Sequence, residues 1–179
     1  MQMSSAVKQW TLEEVHSLPD DGNKYELVRE ELFVTPAPTV SHETIAARLS
    51  EILTPYVKQH GLGLVYHPRA VMRFEGSEVE TDLMVRALNP SDNADWDDAP
   101  VPILIVEILS PSTRRRDQVQ KRSLYMDAGV SEYWMVDAER RTITVVRQGR
   151  EDVVARETLH WSPDGASAEL TFEVTRVFG

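Results

Sequence analysis

Val101 to Leu109 is the most apolar run of this chain, and inside it stands one charged residue, Glu107. Ile103, Leu104, Ile105 and Val106 follow one another without polar alternation, which is the pattern of a central strand covered on both faces. A carboxylate in such a strand is strongly unfavourable unless it is paired or bound to a cation, so Glu107 requires a partner. Asp82 raises the same requirement inside Val79-Glu80-Thr81-Asp82-Leu83-Met84-Val85, read as another strand. Two carboxylates near the ends of adjacent strands make an oxygen-rich site for a hard divalent cation such as Mg²⁺. The alternative at this point is that each acid turns to water or pairs with an arginine.

The rest of the chain frames that strand. Thr11 and Glu14 form a capping-box pattern for a short helix ending before Pro19. Lys24 to Val34 reads as two short strands joined by a tight turn, stopped by Pro36 and Pro38. Ile45, Leu49, Ile52, Leu53 and Val57 recur at helical spacing between Ser41 and His60, with Pro55 expected to kink or end the regular part. Leu62 to Tyr66 and Ala70 to Phe74 are expected strands, and Asn89 to Pro100 an exposed loop around Trp96. After Ser110-Pro111-Ser112, a second helix spans Thr113 to Ala128, and Glu132 to Val136 with Thr142 to Arg147 form a hairpin. Weak strand signals follow at Val153-Val154 and at Leu170 to Val174. The order implies an α/β fold, a central mixed β-sheet flanked by α-helices. At 179 residues the expectation is a single domain, its core about residues 10–178.

The helix after Glu107 carries Arg114, Arg115, Arg116, Lys121 and Arg122 against one acid, Asp117. At about 100° per residue, Lys121 shares a stripe with Asp117, Leu124, Tyr125 and Ala128 and so rides on the inward side. It either pairs with Asp117 four residues before it or delivers its ammonium to the carboxylates at the strand end.

Charge and composition narrow the function. The formal net charge is −10, which argues against a protein that coats nucleic acid nonspecifically. The negative charge is concentrated, however: residues 75–98 hold eight acids and one base. With no cysteine, disulfides, thiolate metal sites and cysteine nucleophiles are excluded. No signal-peptide pattern or apolar run of about 18 residues is present, so a cytoplasmic, non-membrane protein is expected.

An Asp, a Glu on the next core strand and a nearby Lys resemble the PD-(D/E)XK nuclease superfamily, which has the restriction-endonuclease-like fold. The resemblance is closer to one bacterial restriction endonuclease family, formerly labelled a domain of unknown function. It is carried by Tyr25-Glu26-Leu27-Val28 with Glu31-Leu32, Pro36-Ala37-Pro38 and Asp82-Leu83. The specific stretches are Val106-Glu107-Ile108-Leu109-Ser110-Pro111-Ser112-Thr113 and Gly129-Val130-Ser131-Glu132-Tyr133-Trp134-Met135-Val136-Asp137, with Asp117, Lys121 and Tyr125 between them. Thr81 stands where the superfamily has a proline, and Leu109 where it has the lysine. The resemblance implies that the lysine comes from the following helix, as Lys121. It further implies Mg²⁺ or Mn²⁺ held by Asp82, Glu107 and the carbonyl of Ile108, with Asp82, Glu107 and Lys121 catalysing hydrolysis of DNA phosphodiester bonds. Glu43 and Tyr125 are accessory candidates; the simpler roles are a first-turn Glu favoured by the helix dipole and a core filler. His42 reads as a residue of the capping region. Arg114, Arg115 and Arg116 suit DNA phosphate contacts or a solvated basic face. A homodimer is expected, because edge strands and the apolar segment Leu170 to Phe178 need covering. The competing reading is a catalytically inactive oligomeric binding or regulatory module that keeps the nuclease fold.

Overall fold

The computed structural model describes residues 8–88 and 95–179; the first half of the expected loop from Asn89 to Pro100 therefore lies outside the described residues. Thr11 and Glu14 close the expected capping box on helix α1 (Leu12–His16). Strands β1 (Lys24–Val28) and β2 (Glu31–Thr35) are joined by Arg29 and Glu30, both at positive φ, the tight mirror-image turn that matches strand twist. Helix α2 (Val40–Gln59) runs on through Pro55 and buries Ile45, Ala46, Leu49, Leu53, Tyr56 and Val57. Then come β3 (Leu64–Tyr66), β4 (Val71–Phe74), β5 (Ser77–Glu80), β6 (Leu83–Arg86) and β7 (Leu104–Leu109). A helical segment follows in three pieces: α3 (Arg114–Arg116), a π-helical turn (Asp117–Lys121) and α4 (Arg122–Asp127). The chain ends with β8 (Glu132–Asp137), β9 (Thr142–Val146), β10 (Val153–Ala155), β11 (Thr158–Trp161), β12 (Leu170–Glu173) and α5 (Thr175–Phe178).

The central sheet has the order β10-β9-β8-β7-β6-β3. Only its β7–β8 pair is parallel, bridged by the helical segment, as a parallel pair requires. The expected central mixed sheet flanked by helices is thus present, and β7 is buried over all six residues. Leu104, Val106 and Ile108 face α2, while Ile105 and Leu109 face α4 and a second sheet. Glu107 shares the latter side by alternation. That second sheet, β2-β1-β5-β4, is antiparallel.

One expected element divides. Val79 to Val85 is two strands: β5 belongs to the four-stranded sheet and β6 to the central one, and the break falls at Thr81 and Asp82. Alternation alone sees one continuous strand here because β-propensity persists across the corner. The C-terminal segment also differs from expectation. Phe172, Val174 and Val177 are buried in the core of the same chain, so this segment needs no partner to cover it.

Candidate active site

The register Leu83↔Val106 between antiparallel β6 and β7, extended by one residue, brings Asp82 directly opposite Glu107. Directly opposed residues of an antiparallel pair project to the same face. Both acids border a cleft of about 740 Å³ whose walls include Lys24, Pro36, Pro38, His42, Arg69, Ser110, Ser112 and Arg116.

Each carboxylate is held by one oxygen. Asp82 Oδ2 accepts the Ile108 amide at 2.7 Å and lies 3.0 Å from His42 Nε2. Burial works against its charge, yet the His42 hydrogen bond and the nearby Lys24 outweigh it and hold the carboxyl at about 2. Burial also works against the His42 imidazolium, but bonding to Asp82 raises its pKa above the ordinary value. Glu107 Oε1 accepts from Lys121 Nζ at 2.8 Å and from the Tyr125 hydroxyl at 2.6 Å. Here burial prevails over the attraction of Lys121 and pushes the carboxyl up to about 7.

Lys121 has no exposed surface, and its ammonium sits between Glu107 and a second acid, Glu26 Oε1, at 2.7 Å. Glu26 also accepts the Glu80 amide at 3.1 Å, and Arg116 Nη2 stands 3.4 Å from its Oε2. Burial opposes the Glu26 charge, but Lys121, Lys24 and Arg116 together keep its pKa below the ordinary value. Lys121 therefore pairs with Glu107 and Glu26, and Arg116 contacts Asp117 through Nε at 3.4 Å. The π-helical turn that carries Lys121 is a device often found at functional sites.

The other candidates are placed as follows. Glu43 is largely exposed at the cleft, 3.3 Å from His42 Nδ1. Arg114 is clasped by Asp137 at 2.5 Å and Glu139 at 3.0 Å. Arg115 is exposed, and Arg116 donates to Thr35 Oγ1 at 2.9 Å. Sequence reasoning gave no role to Glu26 or Lys24 and placed His42 in the cap. Glu26 was detectable by the test applied to Glu107, a carboxylate amid strand residues; Lys24 and His42 reach the site only through tertiary folding.

The donor chemistry fits a hard divalent cation. Glu107 Oε2 and Asp82 Oδ1 take no hydrogen bond from the described residues, and neither is among the sealed, partnerless atoms of the interior. The Ile108 amide leaves β7 on the Asp82 side, and the carbonyl of the same residue leaves by the same edge. Among the described residues no three His, Asp or Glu side chains cluster as a metal centre. Two carboxylates, one main-chain carbonyl and water suit Mg²⁺, which keeps much of its hydration.

A family model named Uma2 and described as "Putative restriction endonuclease" matches residues 12–176. The chain belongs to this family. A solved structure described as "a putative nuclease belonging to DUF820 from Anabaena variabilis" superposes with a TM-score of 0.80 at 20% identity, covering 94% of this chain and 97% of that one. At that identity the likeness shows the fold alone, and it agrees with the restriction-endonuclease-like architecture expected of a family member. No curated protein matches the chain. Among the described residues no helix is long and apolar enough to cross a membrane.

Proposed function

We propose that this family member is a metal-dependent endonuclease that hydrolyses DNA phosphodiester bonds. One observation carries the reading: Asp82 and Glu107 stand opposite each other at the cleft, each fixed through one oxygen, with the other taking no hydrogen bond from the described residues. Asp82, Glu107 and the Ile108 carbonyl would hold Mg²⁺ or Mn²⁺. When bound, such a cation neutralises charge building on a phosphodiester and makes hydroxide available near neutral pH.

The protein's own groups do the positioning. Lys121 and Tyr125 fix Glu107 by Oε1, and Lys121 acts on the reaction through that carboxylate. His42 and the Ile108 amide fix Asp82 by Oδ2. Of the arginines, the exposed Arg115 suits DNA phosphate contacts better than Arg114, clasped by Asp137 and Glu139, or Arg116, buried against Thr35, Glu26 and Asp117. A cytoplasmic homodimer acting on duplex DNA belongs to the same reading; the exposed Val153 and Val154 on edge strand β10 offer an apolar edge for it.

Plasmid DNA incubated with Mg²⁺ or Mn²⁺ should be cut, and chelator should stop the cutting. Asp82→Asn and Glu107→Gln should each reduce cleavage to background. The competing module, catalytically inactive, finds support in the complete burial of Lys121 between two acids, an arrangement that would also serve as a purely structural strut. A wild-type protein that never cuts would favour that module, and cutting that persists unchanged in both variants would mean a contaminant or a different site.

A further inference from the structure

We propose that Lys24, at the start of β1, is the cation of this site that touches the nucleic-acid phosphate, and that Lys121 does not. The inference deepens the nuclease reading and rests on it. Lys121 cannot meet a ligand: it is fully buried, outside the cleft lining, and bonded to two carboxylates at 2.7 and 2.8 Å. Two of the other cations at the cleft are similarly engaged. Arg116 is buried against Thr35, Glu26 and Asp117. Both ring nitrogens of His42 are in contact with acids, Asp82 and Glu43. Arg69 lines the cleft but is mostly exposed at its rim, 3.7 Å from Asp20.

Lys24 differs from all of these. It lines the cleft with its side chain 18% exposed. Its ammonium donates to the Glu80 carbonyl at 2.9 Å, which fixes its place. An ammonium carries three donors. The nearest carboxylate oxygens, Asp82 Oδ1 at 3.7 Å and Glu26 Oε2 at 3.9 Å, lie beyond hydrogen-bond reach, so among the described residues two donors remain for a ligand. Asp82 Oδ1 is also the oxygen left free for a cation. Lys24 is therefore anchored beside the proposed cation position, with donors available for a non-bridging oxygen of the phosphate. A lysine serves there as a compact point charge with rotatable donors. No bond to carbon or phosphorus is made by Lys24; its contribution is a hydrogen bond and a charge that matter most as negative charge grows on the phosphate.

The test measures binding and cleavage separately, on the full chain. A fluorescein-labelled DNA duplex is titrated by anisotropy with Ca²⁺, which takes the same kind of oxygen ligands, across a series of salt concentrations. Lys24→Gln should flatten the slope of log affinity against log salt by about 0.9, the signature of one lost phosphate contact, and Lys24→Arg should restore it. With Mg²⁺, Lys24→Gln should slow cleavage about 10²-fold, as loss of one transition-state donor does. A Lys24→Gln slope equal to the wild type's overturns the proposal, because a lysine that merely braces the fold would change affinity without changing the slope. Wild-type protein that binds but never cuts defeats the hydrolytic reading, while the slope still decides Lys24. Wild-type protein that binds no nucleic acid defeats both.

Discussion

Replacing Glu107 by glutamine should make the protein more stable while abolishing its proposed chemistry. In the folded chain burial keeps Glu107 protonated up to about 7, against an ordinary 4.5. Between those two values the folded state binds more protons than the unfolded state, so wild-type stability falls as pH rises through the window and is level above it. The displacement of about 2.5 pH units corresponds to about 3 kcal/mol. Glutamine does not ionise, and its amide oxygen can accept the same two hydrogen bonds that Oε1 takes from Lys121 and Tyr125. In chelator, Glu107→Gln should thus match the wild type near about pH 4 and exceed it by about 3 kcal/mol above about pH 7. Urea unfolding at several pH values reads the difference directly. Adding Mg²⁺ should narrow the gap at high pH, because only the wild type gains a ligand. A difference that stays flat with pH, or a variant less stable at high pH, would refute the reasoning. It would mean that Lys121 holds Glu107 ionised in the folded protein throughout.

Lys121→Met removes the cation shared by Glu26 and Glu107, and should destabilise by about 3–5 kcal/mol at neutral pH, less in acid where Glu107 is protonated, as urea midpoints will show. Asp82 has the opposite sign: its carboxyl, held at about 2 against 3.8, adds stability that is present above 3.8 and lost as pH falls through 2. Asp82→Asn should therefore cost about 2 kcal/mol at neutral pH and flatten the acid limb of a pH–stability curve. Mn²⁺ affinity should rise with pH up to about 7, with about one proton released per ion below that point, measured by calorimetry in buffers of different ionisation enthalpy. Gly63→Ala should destabilise by about 3 kcal/mol in thermal or urea melts, since at φ +118° a Cβ would lie 2.0 Å from the Arg86 carbonyl.

Glu107, Asp82 and Lys121 were legible from sequence for one physical reason: each is a charge in a segment whose neighbours demand burial. Periodicity likewise exposed α2 and the central strand β7, because long amphipathic or wholly apolar segments carry a strong signal. What periodicity does not encode is which sheet a strand joins. The passage from β5 to β6 keeps strand-like residues throughout, and its corner is stabilised by bonds between distant elements, Asp82 to Ile108 and to His42. Lys24, His42 and Glu26 meet at the site from β1 and α2, far away in sequence, and no local pattern announces such a meeting. The strand at β11 and the closing helix α5 are four residues each, too short to show a period.

The wide turn at Asp117–Lys121 carries a consequence for chain length. In a regular α-helix residues five apart point about 140° away from each other. A π-turn bonds i to i+5 and brings them into line. Arg116 and Lys121 are five apart, and they reach the two different oxygens of one carboxylate, Glu26. Five residues here do the work that four do elsewhere, and the surplus is taken up around Val119, which is 59% exposed. Deleting Val119 would leave a spacing of four, which an ordinary helical turn aligns just as well. This helix should therefore tolerate the loss of a residue at that point, while the same deletion within α2 would rotate half of its buried face into water.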